Sequence, residues 1–249
     1  MIRTKDAILV LEDGKVFQGQ SFGKTGESLG EIVFATGMSG YQETITDPSY
    51  AGQIVVQTAP HIGNTGMNSE DEESDQIWVS GYVVREVSRV VSNFRSERSL
   101  TDDLIAGDVV GISNLDTRAL TLHLRNVGVM RAGIFSGESA KQDISSLLEK
   151  VKLSEPMSGR SLSDVVSTKE KYTIAPEGDL FGRIAILDLG IKKSTIQNMA
   201  ARGLEVTVFP AKSSTQDLLS IEPDAVFYSN GPGDPSTATQ QVEVLRELL

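Results

Sequence analysis

The run Ser229-Asn-Gly-Pro-Gly-Asp-Pro235 holds the residue types best suited to chemistry in this chain. Its glycines, Gly231 and Gly233, can take positive φ and let a ligand approach the main chain closely. Pro232 and Pro235 fix their own φ and press Gly231 and Asp234 toward extended conformations, so the loop is stiff. Neither proline has an N–H, which leaves Gly231, Gly233 and Asp234 as backbone donors. A rigid loop with few, aimed donors suits a carbonyl oxygen or an oxyanion. The same residues also make a tight strand-to-helix connection, with Asp234 as N-cap and Pro235 at the first helical position. The two roles can coexist. A nucleophile should accompany such donors, yet the 249 residues include no cysteine.

Other groups of reactive side chains carry less. Ser69-Glu-Asp-Glu-Glu-Ser-Asp75 invites a metal reading, but it lacks the alternating acidic pattern of a calcium loop and has no histidine nearby. It reads as a solvated turn or helix start. The two histidines, His61 and His123, lie far apart with no paired nucleophile; His123 reads as structural, and His61 in Pro60-His-Ile-Gly-Asn64 has no assigned role. No G-x-G-x-x-G opens a helix and no G-x-x-x-x-G-K-[ST] occurs, so nucleotide binding is not indicated. Lys192 and Lys193, at a helix start, read as a solvated face.

The elements that must position the donor loop form an alternating pattern. Ile184–Leu189, apolar except for Asp188, reads as a strand buried on both faces. Lys193–Ala201 reads as a helix ended by Gly203, Leu204–Phe209 as the next strand, Thr215–Ser220 as a short helix and Ala225–Tyr228 as a third strand. Residues 236–249 read as a helix. Such alternation implies a parallel sheet with right-handed crossovers, and the donor loop then falls at a strand's carboxyl end, where α/β proteins place ligands.

Earlier in the chain the pattern is β-rich. Ala7–Leu11 and Val16-Phe17 flank Asp13-Gly14, a hairpin signal. Residues 30–34, 53–57 and 77–84 are further strand candidates, rich in β-branched and aromatic residues. Asp116 is a natural N-cap for a helix over 117–125, and a second helix is expected over 141–151. Residues 155–182 are punctuated by Pro, Gly and Ser and read as a connection. The expected division is therefore residues 1–154 as one domain, 155–182 as linker and 183–249 as the α/β part.

Composition narrows the function classes. A net charge of −11 and a pI near 4.7 disfavour nucleic acid and anionic membrane as partners. Zero cysteines exclude a disulfide framework or thiolate metal site within these residues. The N-terminal apolar run is too short for a signal peptide, and no stretch reaches the ~18 apolar residues of a membrane span, so a cytoplasmic location is the expectation.

Several segments together resemble the small, glutamine-hydrolysing subunit of carbamoyl-phosphate synthase. They are Val33-Phe-Ala-Thr-Gly-Met-Ser-Gly-Tyr-Gln-Glu43, Thr46-Asp-Pro-Ser-Tyr50, Pro60-His-Ile-Gly-Asn64, Asp71-Glu-Glu-Ser74, Ser92-Asn-Phe-Arg95, Leu115-Asp-Thr-Arg118 and the 229–235 run. The resemblance implies a β-rich α+β N-terminal domain followed by the first part of a flavodoxin-like class I glutamine amidotransferase domain. It implies a reaction in which a cysteine attacks the glutamine side-chain amide, forms a thioester and releases ammonia. The ammonia passes to a large subunit that uses ATP, Mg2+ and bicarbonate to make carbamoyl phosphate for pyrimidines and arginine; no cofactor is implied for this chain. Carried over by position, Ser49, Gly231 and Gly233 match residues that contact bound L-glutamine, with Gly231 contributing to the oxyanion hole. Without the resemblance, Ser49 reads only as a turn residue after Pro48.

The departures set further expectations. The family's Gly-x-Cys-x-Gly element and its His and Glu partners should lie beyond residue 249, and Ala35 stands where many relatives have Asn. The chain is thus expected to be a C-terminally truncated form, whose frame continues, without glutaminase activity of its own. An inert module that docks to the large subunit is the alternative. A class I amidotransferase for another product is disfavoured by the N-terminal segments.

Overall fold

The computed structural model describes residues 6–249, so the first five residues of the N-terminal run lie outside it. In chain order the elements are β1 (Ala7–Leu11), β2 (Val16–Gly23), β3 (Glu27–Ala35), α1 (Tyr41–Thr46), β4 (Gln53–Gln57), β5 (Gly81–Val83), α2 (Leu100–Ala106), β6 (Val110–Ser113), α3 (Thr117–Val127), β7 (Met130–Ser136) and α4 (Ile144–Leu153). There follow α5 (Ser163–Val166), β8 (Tyr172–Ile174), β9 (Gly182–Leu187), α6 (Lys193–Ala200), β10 (Leu204–Phe209), α7 (Thr215–Leu219), β11 (Ala225–Tyr228) and α8 (Thr239–Leu248). Two compact units result: residues up to Thr46 with Gly52–Met157, and Asp47–Ala51 with Ser158–Leu249.

In the first unit seven strands close into a barrel in the order β1-β2-β6-β5-β4-β3-β7. Closure pairs every strand on both sides and leaves no open edge. The period-2 alternation of β1 sends Leu9 and Leu11 into the cluster formed with Ile32, Ile54, Val56, Ile112 and Ile134. Val10 points the other way, onto Phe135, Leu147 and Val151, where α4 covers the wall. Asp116 caps α3 as expected, its Oδ1 accepting from Ala119 N at 2.9 Å, and Leu120 and Leu124 face the core four residues apart.

In the second unit a four-stranded sheet runs β11-β9-β10-β8. β9 pairs in parallel with both β10 and β11, while β8 joins β10 antiparallel. Counting from β9 as the first strand, the parallel part reads 2-1-3, the flavodoxin-like order. Ile186 faces a cluster with Ile196, Val206 and Val208 under α6, and Ala185 and Leu187 face one with Leu218 and Val244 under α7 and α8. That two-sided burial is why Ile184–Leu187, the carboxyl-terminal part of β9, is wholly apolar.

Three expected elements differ. Of 77–84, only Gly81–Val83 is strand, because Trp78 N and Ser80 N are spent on the Ile45 and Gln53 carbonyls. The final helix is split: Pro235–Thr237 is a 3-10 turn, and α8 begins after Ala238 (φ −81°, ψ 42°). Residues 155–182 hold α5 and β8, and β8 extends the sheet through Thr173 and Tyr172 opposite Thr207 and Val208.

Candidate functional site at the switch point of the sheet

β10 lies on one side of β9 and β11 on the other, so the chain reverses its direction of winding between β9 and β11. The loops after these two strands meet there, at the strands' carboxyl ends, where open α/β sheets receive ligands, and Gly190 packs against Pro232 and Gly231. Both are tied down by buried side chains. Asp188, 5% exposed, accepts from Gly190 N and Ile191 N on one oxygen (2.9 Å each) and from Thr168 N on the other (2.7 Å). Ser229, 6% exposed, accepts from Leu189 N at 2.8 Å and donates to Asn230 O at 2.9 Å, so it latches one loop to the other.

The donor loop itself is held by residues 158–162. Asp234 N donates to Arg160 O at 2.9 Å, and Ser161 faces Gly233 in an antiparallel bridge. Asp234 Oδ2 accepts from Gly159 N at 2.8 Å and Oδ1 from Ser236 N at 2.9 Å. Those backbone donors, Gly159 first and Ser236 next, hold the Asp234 carboxyl down to about 2. Asp234 is thus an N-cap, as its sequence position implies, and its N–H is already committed. The three donors expected of the loop reduce to two. No described group accepts from Gly231 N–H or Gly233 N–H. Gly233 has φ +88°, and a Cβ there would stand 2.6 Å from Arg160 O. A Cβ on Gly231 would overlap the Leu189 carbonyl.

Ser49 sits on the same unit. Asp47 caps the 3-10 turn Pro48–Tyr50, its Oδ1 accepting from Ser49 N at 2.9 Å. Asp47 Oδ2 accepts an ion pair from Lys192 Nζ at 2.8 Å, and the residue is 4% exposed. Asn230 Nδ2 donates to Ser49 Oγ at 2.7 Å. Burial, then the Asp47 charge, pushes the Tyr50 phenol above its ordinary value, and Lys192 opposes this. So Ser49, Asn230 and the two glycines, far apart in sequence, share one constellation. Lys192 is a paired residue here, contrary to its reading as a solvated face.

Away from these loops the other side chains singled out above have structural partners. Asp71 takes Arg95 in a bidentate pair at 2.9 Å twice, and Glu72 pairs with Arg98 at 3.0 Å, so two carboxylates of the acidic turn are held by arginines and not aimed at a shared ion. His123 Nε2 meets Asp13 Oδ2 at 2.6 Å across the β1–β2 hairpin. His61 lies 3.9 Å from Glu86 at the surface. Among the described residues no group of three or more His, Cys, Asp or Glu could hold a metal, and no helix is long and apolar enough to cross a membrane.

Sequence comparison decides the family. The family model described as carbamoyl-phosphate synthase small chain, CPSase domain, matches residues 9–134, just over half of the chain. This chain belongs to the carbamoyl-phosphate synthase small-chain family. A second match, glutamine amidotransferase class-I, covers residues 185–249, the part that carries β9 to α8. Carbamoyl phosphate synthase small chains of Bifidobacterium longum (strain NCC 2705) and Streptomyces coelicolor are each 55% identical over 98% of this chain. That of Corynebacterium diphtheriae is 52% identical over the same share. The chain spans 63–65% of the length of these small chains. A solved aminopeptidase from Aneurinibacillus sp. strain AM-1 covers 83% of the chain and 49% of its own, at 11% identity and TM-score 0.31, which carries no argument.

Within this small-chain member, sequence reasoning located the donor loop but not its supports. Asp47, Asp188, Ser229 and Asn230 gave no spacing signal. Only the position of Ser229 just after a strand end hinted at a loop-tying role; Asp188 read as part of the preceding strand, which ends at Leu187.

Proposed function

We propose that residues 1–249 belong to the glutamine-hydrolysing small subunit of carbamoyl-phosphate synthase, which supplies ammonia to a large subunit that makes carbamoyl phosphate from bicarbonate and ATP. In this reading Ser49, Gly231 and Gly233 bind L-glutamine, and Gly231 N–H belongs to the oxyanion hole. The observation that carries it is the pair of unspent N–H groups on a loop fixed at the switch point, linked through Asn230 to Ser49 at 2.7 Å. Such donors stabilise the tetrahedral oxygen anion of acyl transfer, and loss of one typically lowers the rate by roughly 10² to 10³. ATP and Mg2+ act on the large subunit, and this chain needs no cofactor for its own part. The setting is cytoplasmic pyrimidine and arginine biosynthesis.

With no cysteine in residues 1–249, a protein of these residues alone hydrolyses no glutamine. Co-expression with a large subunit tests the proposal. The expected result is a co-purifying complex that makes carbamoyl phosphate from free ammonia and binds glutamine without hydrolysing it. Normal glutamine hydrolysis by residues 1–249, or no association, contradicts it. The alternative reading, an inert docking module, predicts association without any glutamine binding.

A further inference from the structure

Ser49 is surrounded by more machinery than a turn residue requires. Both oxygens of Asp47 are occupied, one by Ser49 N at 2.9 Å and the other by Lys192 Nζ at 2.8 Å. The first bond fixes where the Ser49 backbone sits; the ion pair ties that segment to the loop after β9. A buried, paired carboxylate is costly to assemble, because its desolvation must be matched by well-placed donors. Here they flank a hydroxyl that itself has no structural task among the described residues other than accepting one bond.

That bond sets the hydroxyl's polarity. A serine hydroxyl has one hydrogen to donate and lone pairs to accept with. Asn230 Nδ2 takes one of those lone pairs at 2.7 Å, and no described group accepts the Ser49 hydrogen. Asn230 immediately precedes Gly231, so one residue joins the hydroxyl to the N–H donors. We propose that Asp47 and Asn230 are positioning residues that hold Ser49 as a hydrogen-bond donor, so that its hydroxyl joins the N–H groups of Gly231 and Gly233 as donors to the acceptor groups of glutamine. This rests on the reading that Ser49 contacts glutamine.

The test is L-glutamine binding by the full chain, measured calorimetrically for wild type, Ser49→Ala, Asn230→Ala and the double variant. Ser49→Ala is expected to weaken binding about tenfold, the loss of one hydrogen bond to a charged or strongly polar group. Asn230→Ala is expected to weaken it to a similar degree, and the double variant to be no worse than either single one. Asp47→Asn, which keeps an acceptor for Ser49 N, is expected to retain more affinity than Asp47→Ala. Wild-type affinity in Asn230→Ala, or single losses that multiply in the double variant, overturns the positioning role while leaving the proposed function standing. No glutamine binding by wild type, or no effect of Ser49→Ala, overturns the underlying reading and this inference with it.

Discussion

Gly231 and Gly233 exclude side chains for different reasons, and the difference is measurable. At Gly231 an added Cβ meets the Leu189 backbone, which cannot swing aside; at Gly233 the obstacle is both φ +88° and the Arg160 carbonyl. Gly233→Ala should destabilise by about 1–3 kcal/mol from backbone strain, read as a shift in urea midpoint. Gly231→Ala should displace the loop, visible as loss of the Asn230–Ser49 contact in a crystal structure. Asp234 sets a pH dependence. Its carboxyl is held at about 2 against an ordinary 3.8, so the ionised form is the one bound by Gly159 and Ser236. The stabilisation is complete above about pH 4 and is lost as pH falls through about 2. Gly159 amide exchange should therefore accelerate between pH 4 and 2; unchanged protection there contradicts the clamp. Chemistry at this scale was half legible. The Gly-Pro-Gly-Asp run announces donors, but nothing in spacing tells that Asp234 N–H is spent on Arg160. Nothing pairs Ser49 with a partner 181 residues away either.

Elements carry the site because their ends do. β9 and β11 stop at Leu187 and Tyr228, and the next residues, Asp188 and Ser229, turn their side chains back to hold the loops. Asp188→Ala leaves three backbone donors without an acceptor and should lower stability by about 3 kcal/mol, measured in denaturant. In the barrel, Leu147→Ala beneath α4 should lower it by about 2–5 kcal/mol through the cavity left against Val10 and Phe135. Elements were legible where burial is two-sided or a cap is explicit: β9 as an apolar run, α3 from Asp116. They were not where burial is mixed. β6 is only four residues, β7 carries Gly133 in mid-strand, and β8 is an exposed edge of three residues inside a Pro- and Gly-punctuated stretch. The α2 cap, Ser99 accepting from Asp102 N, was present in sequence but lay beside weak apolar periodicity.

At the scale of the whole molecule, barrel and sheet largely divide the two family matches: residues 9–134 fall in the barrel unit except for Asp47–Ala51, which join the sheet unit, and 185–249 fall in the sheet unit. The central claim is that the switch-point loop receives glutamine, and amide NMR of the chain titrated with L-glutamine tests it most directly. The account predicts saturable shifts of the Gly231 and Gly233 amides together with Ser49, all reduced in Ser49→Ala. Unmoved Gly231 and Gly233 amides at saturating glutamine, or shifts confined to the barrel residues, would contradict it.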